Sequence, residues 1–170
     1  MALTDCTMLA VAWKGPPYNK SVKTRPMPTI VNETDPIVRL SSTAVCGTDL
    51  HVYHSLCGSS EPGRIMGHEG VGYVDSIGSA IKCLDVGDYV VIPDNFGSSH
   101  YPERFPSTRL TQGYGQEYTK GGDVGGCQAE YVCILFADDT LYPIPKTAGG
   151  TWSTSKKLDY IMISDVFATA

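Results

Sequence analysis

Glycine and proline punctuate this chain from end to end, 18 and 11 of them in 170 residues, and the apolar segments between them are short. Those segments are rich in Val, Ile, Tyr and Thr, the residues that suit a pleated, half-buried backbone. Candidate strands are Met8 to Trp13, Ile37 to Ala44, Gly70 to Ile77, Tyr89 to Pro93, Ala129 to Ile134 and Thr140 to Pro143. No segment with a helical period rivals them. Only Thr48 to Ser55, where Thr48 or Asp49 could cap, and Lys156 to Met162 read as short helices. From Gly70 to Asp88 the chain reads strand, turn, then a Val-Gly-Asp turn into Tyr89-Val90-Val91-Ile92, the pattern of a barrel with tight corners. Residues Asn95 to Val124 turn polar and rich in Gly, Ser and Tyr, and are expected to form a long surface excursion; Lys146 to Lys157 reads as a surface connection.

A chain of this length supports one core, burying ~70% of its unfolded surface. Hydrophobic residues at 42% and charged residues at 18% are those of a folded globular protein. The net charge of -5, with no basic cluster, argues against a nucleic-acid partner, and none is expected. The longest early apolar run, Met8 to Trp13, is too short for a membrane span or a signal segment, so no membrane partner and a cytoplasmic location are expected. Six cysteines without paired spacing are read as reduced thiols, with Cys6, Cys57, Cys83, Cys127 and Cys133 as buried or half-buried small hydrophobes.

Cys46 stands apart. It opens Cys46-Gly47-Thr48-Asp49-Leu50-His51, and Gly67-His68-Glu69-Gly70-Val71-Gly72 follows. A thiolate and an imidazole are ligands that zinc prefers, and flanking glycines let the backbone come close to an ion. Alone, either residue is more often structural than a ligand.

These two motifs, followed in order by Val86-Gly87-Asp88-Tyr89-Val90-Val91 and Gly126-Cys127-Gln128-Ala129-Glu130-Tyr131-Val132, resemble the GroES-like domain of zinc-dependent medium-chain alcohol dehydrogenases. The resemblance covers nearly the whole chain. It implies a mainly β fold, a GroES-like partly open β-barrel with a few short helices, as one domain over residues 1–170. It also implies Cys46 and His68 as catalytic zinc ligands, with Glu69 beside them as a carboxylate that stays close or exchanges onto the metal. The chain ends Ser164-Asp165-Val166-Phe167-Ala168-Thr169-Ala170. This is similar to the Ser-Asp-x-Phe-Pro-Thr-Gly segment of the formaldehyde-dehydrogenase-like branch, with alanines at the proline and the last glycine positions. Asp165 is thereby the implied third ligand; the bland alternative is a capping or surface carboxylate. Thr48 and His51 resemble the family's proton relay, where the alternatives are a helix cap and an exposed helix residue.

Two features of that family are missing from the sequence. No cysteines lie between Asp94 and Gly126, so a structural zinc is expected to be absent. No strand-turn-helix with Gly-x-Gly-x-x-Gly follows, so no nucleotide-binding domain and no bound NAD(P) are expected; Gly121 to Gly126 precedes a strand and reads as a turn.

Three functions compete. The leading expectation is a non-redox zinc enzyme, a Lewis-acid cyclase, isomerase, dehydratase or hydrolase, acting on a small carbonyl or hydroxylated metabolite with Thr48, His51 and Glu69 handling protons. The second is a truncated or partner-completed alcohol dehydrogenase, an oxidoreductase. The third is a non-catalytic relic. Loss of a covering domain would expose apolar surface, so a homo-oligomer is expected.

Overall fold

The computed structural model describes residues 6–56, 62–94, 125–146 and 153–169. The expected excursion from Asn95 to Val124, Cys57, His100 and most of the Gly121–Gly126 run lie outside these residues, as does the stretch 147–152 of the Lys146 to Lys157 connection.

Strand β1, Thr7–Trp13, buries Met8, Ala10 and Ala12 on one side, as the alternation of side chains along a strand requires. It pairs antiparallel with β2, Lys20–Pro26, from Thr7 opposite Pro26 to Trp13 opposite Lys20. β2 has no counterpart among the expected strands. Its sequence, KSVKTRP, buries nothing, and its one aliphatic residue, Val22, is 62% exposed. The ladder to β1 holds it, and its charges suit an edge.

The second sheet comprises β3, Pro36–Thr43; β4, Gly70–Ile77; β5, Tyr89–Ile92; β6, Tyr131–Cys133; and β7, Tyr142–Pro143. Their order is β6-β3-β4-β5-β7, antiparallel throughout. Between β3 and β4 runs helix α1, Gly47–Tyr53; helix α2, Ala137–Thr140, follows β6. The expected strand over Thr140 to Pro143 is thus half right. Thr140 ends a helical turn, and its hydroxyl donates to the Leu135 carbonyl at 2.8 Å. Isolated bridges from Ala10 to Ala129 and from Ala12 to Ile65 tie β1 to the segments that lead into β6 and β4, and the two sheets leave the barrel partly open.

Both faces of the larger sheet are covered. Val38, Val74, Val90, Ile92 and Val132 pack with Leu84, Ile134 and Leu141 on one side. Val71, Tyr89 and Val91 pack with Ile144 and Ile161 on the other. All four residues of β5 are therefore buried. Each such side chain contributes about 1.5–3 kcal/mol when fully withdrawn from water. The second face is covered by the C-terminal segment: helix α3, Thr154–Asp159, a 3-10 helix, Tyr160–Ile163, and helix α4, Val166–Thr169. The helical run expected over Lys156 to Met162 begins two residues earlier, because Ser153 caps it by accepting from the Lys156 N–H.

Among the described residues no helix is long and apolar enough to cross a membrane. The described cysteines Cys6, Cys46, Cys83, Cys127 and Cys133 are all free thiols. Cys127 and Cys133 are buried as expected, whereas Cys6 and Cys83 are exposed, Cys83 in a turn whose backbone N–H is capped by Asp138 at 3.0 Å.

Candidate metal centre

The site forms where β3 leaves the sheet and β4 enters it. The Glu69 carbonyl accepts from the Thr43 hydroxyl at 2.8 Å and from the Ala44 N–H at 3.4 Å, which sets residues 44–46 alongside 67–69. Cys46 then begins α1. Its extended backbone and side-chain sulfur cap the helix by accepting from the Thr48 N–H at 3.2 Å, while Asp49 Oδ2 accepts from the Cys46 N–H at 3.2 Å. This reciprocal pair is a capping box with cysteine in the usual serine position. The cap is therefore Cys46, two residues ahead of Thr48 and three ahead of Asp49, the caps expected from the sequence.

Asp49 does more than close the box. It is 4% exposed, and its second oxygen accepts from the Gly67 N–H at 3.1 Å. One carboxylate thus ties together the two segments that carry Cys46 and His68. Burial pushes its pKa up, against the opposing charge of His68 and the two backbone donors. Gly67 adopts φ +92°, and a β-carbon there would lie 2.6 Å from Gln128 Cγ and 2.9 Å from Gln128 N. Only glycine turns the chain this way in this space.

Beyond Gly67, His68 and Glu69 point inward, each 1% exposed. Asp165, 9% exposed, arrives from the other end of the chain between the 3-10 helix and α4. His68 Nε2 lies 2.9 Å from Cys46 Sγ and 3.1 Å from Asp165 Oδ2. Glu69 Oε2 is 3.3 Å from Ser164 Oγ, which also donates to the Ile161 carbonyl at 2.6 Å. One potential ligand atom from each of Cys46, His68, Glu69 and Asp165 falls within 4.8 Å of all the others. Burial raises the pKa of the Cys46 thiol, with hydrogen bonds from Thr48 opposing it, and burial likewise raises Glu69 against the charge of His68.

The donors fit a metal ion. A single imidazole nitrogen offers one proton or one lone pair, yet here it faces both a sulfur and a carboxylate oxygen. Glu69 Oε1 is buried with no hydrogen-bond partner among the described residues, an arrangement that costs free energy unless a cation or donor completes it. A thiolate, an imidazole and carboxylate oxygens make up a donor set that zinc accepts.

The relay residues separate. Thr48 is half-buried, and its side chain hydrogen-bonds the Cys46 sulfur. His51 is exposed on the last turn of α1 and lies outside the cluster. Asp49 was expected only as a helix cap, and Ser164 carried no expected role of its own. The Cys-x-x-Asp spacing of a capping box was the available signal for Asp49, and the Ser-Asp pair of the C-terminal segment was the one for Ser164.

The fold and the donor set together define a zinc-type β-barrel domain. Residues 32–146 match the alcohol dehydrogenase GroES-like domain, and the chain belongs to that family. It is 34% identical over 151 residues to an uncharacterized zinc-type alcohol dehydrogenase-like protein, AdhB, of Bacillus subtilis, an alignment covering 82% of this chain and 39% of AdhB. It is 33% identical over 142 residues to the glutathione-independent formaldehyde dehydrogenase of Pseudomonas aeruginosa, covering 78% of this chain and 34% of that enzyme. Alcohol dehydrogenase TADH from Thermus sp. ATN1 superposes with a TM-score of 0.71 at 30% identity, covering 81% of this chain and 40% of that one. The chain therefore spans about two-fifths of the length of such relatives, as a zinc-type alcohol dehydrogenase-like domain.

Proposed function

We propose that this chain is the zinc-holding, substrate-binding part of an alcohol or aldehyde oxidoreductase. The observation that carries the reading is the convergence of four potential ligand atoms within 4.8 Å in a domain whose relatives bear zinc-type dehydrogenase names. Those names favour the oxidoreductase reading over the non-redox zinc chemistry that the sequence alone put first.

Cys46, His68 and Asp165 would hold the ion, and Glu69 would supply the fourth, exchangeable oxygen. A bound zinc ion would act as a Lewis acid toward an alcohol or carbonyl oxygen. The protein's own part is to place and move protons around that oxygen. The Thr48 hydroxyl, two residues from Cys46 and hydrogen-bonded to its sulfur, is placed to orient a substrate hydroxyl. His51 lies one helical turn further and exposed, where it could pass a proton to solvent. Asp49 keeps Cys46 and Gly67 in register and touches no reactant. An oxidoreductase of this kind would need a nicotinamide cofactor as hydride acceptor, and its substrate would be a small alcohol or aldehyde.

The test pairs metal analysis with isotope transfer. The chain should bind zinc, and Cys46→Ser should weaken binding at least about 100-fold, beyond what loss of an outer partner of a ligand costs. Supplied with zinc, a deuterated primary alcohol and a nicotinamide cofactor, with a nucleotide-binding domain added in trans, it should move deuterium to the cofactor. Products of unchanged mass, or lacking only water, would overturn the redox assignment.

A further inference from the structure

Asp165 reaches the centre on a segment whose first helix, α3, buries no side chain. Apolar packing of the segment begins only where α3 ends, at Tyr160 and Ile161, so a side-chain contact from within the helix is what ties α3 itself to the sheet. The contact is Lys157. Its ammonium donates to the Tyr73 hydroxyl at 2.5 Å and stands 5.2 Å from the Tyr73 ring centroid and 5.5 Å from that of Tyr89. The two rings are register partners on β4 and β5, with centroids 4.8 Å apart. They are themselves fixed: Tyr89 Oη lies 3.0 Å from Ser41 Oγ, which donates to the Val71 carbonyl at 3.1 Å, and the Arg39 guanidinium stands 5.4 Å from the Tyr73 centroid. A half-buried amine between a phenol acceptor and two aromatic faces is a directional contact, because both the hydrogen bond and the cation–π attraction depend on where the charge sits.

Eight residues further along the same helical run stands Asp165. Nearer to it the segment has other attachments: Ile161 in the apolar cluster and the Ser164 carbonyl, which accepts from the Asp94 N–H at 2.9 Å. Tyr160 packs against the same cluster and Ser164 Oγ lies 3.3 Å from Glu69 Oε2; all of these fall within six residues of one another and would serve as a pivot. A pivot fixes position and leaves rotation free; a distant second attachment sets the angle.

We propose that Lys157 is a positioning residue for the metal centre, clasped by Tyr73 and Tyr89 so that the C-terminal segment presents Asp165 to Cys46 and His68. The inference rests on the zinc reading above. Lys157 touches no ligand and acts through Asp165 alone. Neutralising or shortening it leaves the barrel intact and lets the carboxylate swing.

The full chain is titrated with zinc against a competing chelator, and its cobalt(II) form is followed by visible absorption. Lys157→Met and Tyr73→Phe should each weaken zinc about tenfold, in the range found when an outer partner of a ligand is lost, and should change the cobalt ligand-field bands. The melting temperature of the metal-free protein should stay where it was. Lys157→Arg, which keeps a cation and donors over the rings, should recover most of the affinity. In an Asp165→Asn background Lys157→Met should have no further effect, since the carboxylate it orients is gone. Zinc affinity unchanged in both Lys157→Met and Tyr73→Phe, or a Lys157→Met loss that persists in full without Asp165, would overturn the inference while leaving the zinc reading standing. Absence of zinc binding by the unaltered chain would remove the zinc reading and this inference with it.

Discussion

The two sides of the candidate centre are held by different physics. Cys46, His68 and Glu69 sit where a five-stranded sheet begins and ends its central strands, and the buried carboxylate of Asp49 bonds to both segments. Asp165 sits on a chain of short helices with one deeply packed aliphatic residue, Ile161, while Leu158, Met162, Ile163 and Phe167 are 47%, 49%, 44% and 79% exposed. The first side is part of the fold and cannot be disturbed without cost to it. The second is an attachment, and its loss should cost the site and spare the barrel. A site assembled in this way separates metal affinity from stability, which most buried centres do not.

Gly67→Ala attacks the first side and should have the largest effect. The substitution forces a β-carbon into a backbone with φ +92° and against Gln128 N at 2.9 Å. Strain and overpacking together should cost about 2–4 kcal/mol, read by denaturant unfolding of the metal-free protein, and zinc should be lost as well. Unchanged stability would mean that the turn is not part of the fold's frame.

Asp165→Asn attacks the second side. Zinc affinity should fall by at least about 100-fold, beyond what loss of an outer partner of a ligand costs, with the metal-free melting temperature within about 2 °C of the parent. A large drop in melting temperature would erase the contrast, because the C-terminal segment would then be holding the barrel together.

The same contrast explains what could be read in advance. β4 was legible to its end residues, Gly70 and Ile77, and β3 and β5 within one, because apolar and β-branched residues mark strands that a sheet buries. β2 was not, because it is held by backbone bonds to β1 and its polar side chains carry no burial signal. In the site, Cys46, His68 and Glu69 were legible as a motif, since ligand types beside glycines are a local pattern. Asp165 was legible only through the order of motifs along the chain. The second role of Asp49 was invisible: it depends on the N–H of Gly67, 18 residues away, and nothing local announces it. The same holds for Lys157, whose partner Tyr73 is 84 residues distant.

A third kind of attachment joins the two regions and should matter least. Lys146, which follows β7 on the way to the C-terminal segment, donates to Asp88 Oδ1 at 2.8 Å, and Asp88 Oδ2 accepts from the Asp85 N–H at 2.9 Å. Burial alone would raise the Asp88 pKa, but these donors hold it below its ordinary value, while the bond to Asp88 raises that of Lys146. A carboxyl with a depressed folded pKa adds stability above the ordinary carboxylate range and loses it as pH falls through the folded value. The amine, with a raised folded pKa, contributes below its ordinary value of 10.5 and loses that contribution as pH climbs through the folded one. Between these limits the pair is insensitive to pH. Asp88→Asn should therefore lower the melting temperature by only about 1–2 °C at neutral pH. The difference should shrink in high salt and vanish as acid takes the pH through the folded value of the Asp88 carboxyl, which lies below its ordinary one, and protonates the parent side chain. Zinc affinity should not change, because Asp165 is held by contacts nearer to it. If affinity falls along with this ion pair, the C-terminal segment is steered from its root, and the division between a built-in side and an attached side of the centre has to be redrawn.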